Sequence, residues 1–119
     1  LPHFDLRTVK AVQSLGGYSC GFDRWFSALD WMTQKILEKD FEIAVLGCGA
    51  YGFPLAARLK GEGRQVIHLG GNTQLLFGIK GARWDQLGYD QTVYNSFWKR
   101  PEPEEIPEGA KEYQFFSYA

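Results

Sequence analysis

The sequence has little cysteine, histidine or methionine and almost no net charge. Its 119 residues hold two Cys, two His and one Met, and 13 Lys and Arg stand against 14 Asp and Glu for a formal charge of −1. Cys20 and Cys48 show neither zinc-ligand spacing nor the density of a secreted disulfide scaffold, so reduced thiols and no structural metal are expected. The missing basic excess argues against a nucleic-acid binder, because neutralising phosphates requires one. No apolar run approaches the roughly 18 residues of a membrane span, and no charged-then-apolar signal segment opens the chain. The expectation is a soluble, cytoplasmic protein with no membrane span. Residue 1 is Leu rather than Met, which points to a processed chain or part of a longer one.

What is present is apolar and aromatic material. Hydrophobic residues make up 45% of the chain, with 9 Phe, 6 Tyr and 4 Trp, enough for one domain with a real core and too much for disorder. Aromatics serve cores and interfaces alike, so their abundance alone does not separate packing from recognition.

Residues 4–15 come close to apolar alternation at Phe4, Leu6 and Thr8 and slip phase at Val9 and Ala11, which predicts a strand with a bulge. From Phe22 to Lys39 the apolar positions Phe22, Trp25, Phe26, Leu29, Met32, Ile36 and Leu37 recur at helical spacing. At about 100° per residue, Trp31 falls outside that stripe, which makes it a candidate interface residue or a plain exposed aromatic. Phe41–Leu46 is nearly all apolar after Glu42, the pattern of a parallel strand covered on both faces. A glycine loop over Gly47–Gly52 and a short helix over Phe53–Lys60 follow, with Pro54 in the first turn and Gly61 or Gly63 as the stop. Gln65–Leu69 reads as a second strand. Gly70-Gly71-Asn72-Thr73 then turns into a helix over Gln74–Phe77, with Asn72 or Thr73 as N-cap.

This alternation predicts an α/β fold: a three-layer Rossmann-like domain over residues 1–100 with a short, mainly parallel sheet. One or two short helices are expected within Ala82–Lys99. Residues 101–119 read as an extended segment whose aromatic end, Tyr113–Tyr118, docks on the domain or on a partner.

Loops leaving the carboxyl ends of parallel strands emerge on one edge, where ligands bind. Both loops here are glycine-rich. Gly47-x-Gly49-x-x-Gly52 has the dinucleotide-binding spacing, in which the first glycine permits a tight turn, the second close phosphate approach and the third helix–strand packing. The ribose-binding acid expected roughly 20 residues on is absent, since His68-Leu69-Gly70-Gly71 stands there. The plainer reading is that these glycines only serve turns. Lys80 and Arg83 could neutralise a diphosphate while Trp84 stacks on a base or sugar; solvated cations beside a packed Trp are the equally ordinary alternative. His68 could act as acid, base or phosphoryl donor, although a half-buried strand histidine is commoner. Helix amides beside Cys48 would lower its pKa, yet no Cys–His–acid set accompanies it. No serine lies in a Gly-x-Ser-x-Gly elbow. Asp40 and Glu42 read as a solvated turn at the opposite edge of the sheet.

The segment from Asp40-Phe41-Glu42-Ile43-Ala44-Val45-Leu46-Gly47-Cys48-Gly49-Ala50-Tyr51-Gly52 to Ala57, followed by Val66-Ile67-His68-Leu69-Gly70-Gly71-Asn72-Thr73-Gln74 and on to Trp84, resembles the C-terminal half of a group of largely uncharacterised bacterial proteins associated with GT-D type glycosyltransferases. The likeness spans roughly residues 4–100. It implies a Rossmann-like half-domain with a nucleotide-sugar ligand, and it places an acidic motif for Mn²⁺ or Mg²⁺ in an N-terminal region ahead of this chain. The residues it marks as ligand-facing are Gly47, Gly49, Tyr51, Gly52, His68, Gly70, Gly71, Gln74, Lys80, Arg83 and Trp84, none with an assigned catalytic role.

The leading expectation is therefore a glycosyltransferase-like domain that binds a nucleotide-sugar or another phosphate-bearing small molecule at Gly47–Gly52 and Gly70–Thr73, with no cofactor of its own. A second expectation is a non-catalytic oligomerisation or interaction domain using Trp31, Trp98 and the aromatic terminus. A dinucleotide (NAD or FAD) domain comes third, because the ribose acid is missing.

Overall fold

A computed structural model describes residues 2–14 and 20–106. Helix α1 spans Trp25–Leu37. Its buried positions Ala28, Leu29 and Met32 lie on one face, as a period of three to four residues requires. Lys35 in its last turn suits the negative end of the helix dipole and pairs with Glu38 at 2.9 Å.

Strand β1, Ile43–Leu46, leads through a 3₁₀ turn at Gly49–Tyr51 into α2, Gly52–Gly61. Pro54 is tolerated in the first turn of α2, where backbone amides lack intrahelical partners. The helix ends at Gly63, whose φ of 76° lets Arg64 N donate to Leu59 O at 3.0 Å while Gly63 N donates to Lys60 O at 3.0 Å. These two bonds form a Schellman termination. Strand β2, Gln65–His68, then pairs in parallel with β1, Ile43 opposite Gln65 and Leu46 opposite His68.

Three short helices follow: α3 at Asn72–Leu76, α4 at Ala82–Asp85 and α5 at Tyr89–Thr92. The chain next makes an isolated parallel bridge between Ile79 and Lys99 and a 3₁₀ turn at Pro103–Glu105. In that turn Glu102 N donates to the Glu105 carboxylate at 2.9 Å, half of a capping box.

The core gathers Ala28, Leu29 and Met32 from α1, Leu46 from β1, Tyr51, and Leu55 and Leu59 from α2, with Ala44 and Val66 packed against it. Both helices therefore cover the Ala44–Leu46–Val66 face of the sheet. Each fully buried Leu or Met contributes about 1.5–3 kcal/mol of transfer free energy.

The result is a mixed helix and strand fold around a short two-stranded parallel sheet. Several expectations are corrected. Residues 4–14 form no strand; they run as irregular chain with Phe4 and Leu6 more than half exposed. Among the described residues strand β1 is covered on one face rather than two, and Ile43, Val45 and Ile67 on the other face are 49%, 37% and 47% exposed. Neither Asn72 nor Thr73 caps α3, since the N-cap position is Gly71 and has no side-chain bond. Trp31 is half-buried at the margin of the core with its ring 5.7 Å from that of Phe22, whereas Phe26, expected in the buried stripe, is 66% exposed. Tyr113–Tyr118 lies outside the described residues.

Candidate functional site

Parallel pairing of β1 and β2 brings their carboxyl ends side by side, so the glycine turns after Leu46 and after His68 leave from one edge. A single carbonyl ties them together. Leu46 O accepts from Leu69 N at 3.0 Å, from Thr73 Oγ1 at 3.3 Å and from His68 Nδ1 at 3.3 Å. Because a carbonyl only accepts, His68 Nδ1 is the donor in that bond.

The glycines divide into two kinds. A Cβ on Gly47 would stand 2.5 Å from Thr73 Oγ1 and 3.0 Å from Gly70 O, and one on Gly52 would collide with the His68 imidazole. These two glycines allow turn to meet turn and helix to meet strand. Gly49 and Gly70 differ: both are left-handed, with φ of 54° and 55°, and the space beside each is open. The edge thus has a packed floor and two open backbone corners.

Arg83 reaches this edge. A Cβ on Gly71 would lie 3.5 Å from Arg83 Nη1 and 3.6 Å from Trp84 Cζ2. Trp84 itself is buried, donating from Nε1 to Gln74 Oε1 at 2.9 Å and stacking on Tyr89 at 5.7 Å, while the Arg83 guanidinium sits 5.2 Å from its ring centre. Trp84 and Gln74 thereby support Arg83, and the indole face is occupied by protein. Lys80 goes elsewhere, with Nζ 5.5 Å over the Tyr94 ring. Burial and the nearby Asp85 carboxylate push the Tyr94 hydroxyl above its ordinary value.

Tyr51 belongs to the core by its ring, which stacks on Trp25 at 4.8 Å while its hydroxyl meets Ser14 Oγ at 3.0 Å. Trp98 packs on Tyr94 at 4.8 Å and beside Gly78. Asn72 is exposed in the second turn. Cys48 is corrected in sign: burial pushes its thiol pKa up. The residue that sequence reasoning passed over is Phe53. Its ring is 77% exposed in the first turn of α2 and meets His68 edge-on at 4.7 Å. The available signal was its place, directly after the third glycine.

Among the described residues no group of three or more His, Cys, Asp or Glu gathers to hold a metal ion, so the acids that the resemblance expects for Mn²⁺ or Mg²⁺ have no counterpart among them. No helix in the described residues is long and apolar enough to cross a membrane. The edge offers two open glycine corners, one guanidinium and one imidazole. That set can hold an anion, but it contains no paired acid and base for group transfer. No family profile, curated protein or solved structure matches the chain.

Proposed function

We propose that this chain is a Rossmann-like, glycosyltransferase-like domain that binds a phosphate-bearing small molecule, of the nucleotide-sugar class, at its joined glycine turns. One observation carries the reading: Gly49 and Gly70 are both left-handed and unobstructed at the adjoining carboxyl ends of two paired parallel strands. Such an edge is where open parallel sheets take ligands. Arg83 would neutralise phosphate and Phe53 would meet the base or sugar. Any catalytic carboxylates and their Mn²⁺ or Mg²⁺ would come from outside these residues. In this reading a further layer lies over Ile43, Val45 and Ile67.

The nicotinamide or flavin reading is weaker, because His68 is wedged between Gly52 and Phe53 where the strand would end in an acid. The interaction-domain reading draws on the open sheet face, and Trp31 and Trp98 support it less, since both are half-buried against their own chain.

Thermal-shift and calorimetric titration with UDP, UDP-glucose and NAD, with and without Mn²⁺, tests the proposal. Stabilisation by the uridine ligands that is lost in Arg83→Ala supports it. Stabilisation by NAD alone returns the dinucleotide reading, and no response to any of them removes the phosphate site.

A further inference from the structure

The two-stranded sheet is unfinished on the side of β1. One edge of β1 is paired with β2, and among the described residues the other edge carries no strand. Parallel sheets are ordinarily buried, and two strands alone are marginal in water. Nothing in Ile43–Leu46 guards this edge, since the segment has no charge, proline or bulge.

The geometry of the helices says which segment belongs there. Helix α2 connects β1 to β2 across the face that carries Ala44, Leu46 and Val66, and α1 packs on that same face. Right-handed crossovers that keep their helices on one face step across a sheet in one direction. The segment preceding α1 therefore belongs beside β1, opposite to β2 and parallel to it.

The chain already runs there. Val9 and Ala11 form one wall of a groove of about 250 Å³ whose other lining includes Val45, Gly47 and Cys48 from β1 and its turn, and Met32 and Ile36 from α1. Ala11 and Val12 pack against the core. Among the described residues Val12 N donates to the thioether of Met32 at 3.4 Å, and a thioether is a weak acceptor that a strand carbonyl would better replace. Phe4, Leu6 and Thr8 alternate with Asp5 and Arg7, and after a phase slip Val9 and Ala11 flank Lys10 with the same period of two, as a half-exposed strand with a bulge requires.

We propose that residues 8–12 close onto the free edge of β1 as a third parallel strand, filling the groove and covering the Cys48 thiol. Two conformations of one segment follow, an open one lining the groove and a closed one completing a β-α-β-α-β unit. The closed strand would also wall the end of the groove at Gly47 and Thr73, beneath the glycine edge. This inference concerns the sheet and stands independently of any ligand.

Amide hydrogen exchange on the whole chain reads the closure directly. In the wild type, alternate amides within residues 8–12 are expected to exchange at least about tenfold more slowly than those of residues 3–7, with cross-strand nuclear Overhauser contacts to Ala44–Leu46. In a Cys20→Ser background, Val9→Pro and Lys10→Pro are then compared, because in either register one of these neighbouring amides faces β1. One of the two should raise the rate of Cys48 modification by a disulfide reagent about tenfold, while the other changes it little. Uniformly fast exchange over residues 3–12 without contacts to β1 would overturn the proposal. So would Cys48 modification at wild-type rate in both proline variants. The wild-type exchange experiment decides the matter even if a proline variant does not fold.

Discussion

The imidazole of His68 fills the space that a side chain at position 52 would need, so Gly52 and His68 are a matched pair across the α2–β2 contact. The missing Cβ lets the helix settle against the strand, and the ring then reaches Leu46 O at 3.3 Å. Gly52→Ala should therefore act as an overpacking substitution and destabilise the fold by about 1–3 kcal/mol. Urea unfolding measures this, and adding His68→Ala should restore part of the loss because the two side chains compete for one volume. Equal stability of Gly52→Ala and wild type would contradict the packing.

Leu59 of α2 is fully buried in the core it shares with Leu29, Met32, Leu46 and Leu55. Leu59→Ala is expected to cost about 2–5 kcal/mol, through lost transfer energy and the cavity left behind. A shift in the urea midpoint at unchanged slope would identify a pure stability effect.

Arg83 and Lys80 look equivalent in sequence and differ in placement. Arg83 stands against the second glycine turn, whereas Lys80 lies over the Tyr94 ring. If the glycine edge binds phosphate, Arg83→Ala should weaken UDP binding by about tenfold or more, the worth of a charge-assisted hydrogen bond. Lys80→Ala should change it by much less. Calorimetry on the two single variants tests the asymmetry, and a larger loss in Lys80→Ala would place the phosphate elsewhere.

Cys48 should be a slow thiol at neutral pH, because burial favours its neutral form. Its modification rate in a Cys20→Ser background should rise only as pH climbs beyond the ordinary thiol range. The linkage has the matching sign: a folded pKa above the unfolded one contributes stability that is full below the unfolded pKa and is lost as pH rises through the folded one. Cys48→Ala should accordingly flatten the alkaline limb of a stability–pH profile. A thiol that reacts fully at neutral pH would show that helix amides, not burial, dominate.

Gly63 ends α2 at a φ of 76° with open space around it, so the objection to a side chain there is conformational rather than steric. Gly63→Ala should cost about 1–2 kcal/mol, close to the price of a left-handed residue. Gly63→Asn should cost less, since Asn tolerates that region. Thermal unfolding of the two variants distinguishes them.

Local order was legible in the chain. The period of Leu29, Met32 and Ile36 announced α1, the apolar run after Glu42 announced β1, and Pro54 with Gly63 bracketed α2, because spacing and backbone restriction are properties of neighbouring residues. The glycine spacing also located the edge where the two turns meet. The spacing marked Gly52 for helix–strand packing, but it did not name the groups that Gly47 and Gly52 meet, Thr73 and His68, which are distant in the chain. Nor did it show that Trp84 would be buried under Arg83 while Phe53 stood exposed, since a ring's burial depends on what covers it. The near-alternation of residues 4–15 reads as a bulged strand in isolation, yet a strand exists only where a neighbour accepts its hydrogen bonds. Periodicity and turn chemistry were thus determined by the sequence itself. Pairing, burial and the shape of the glycine edge were decided by tertiary contact, because each is a relation between residues that the chain separates and the fold brings together.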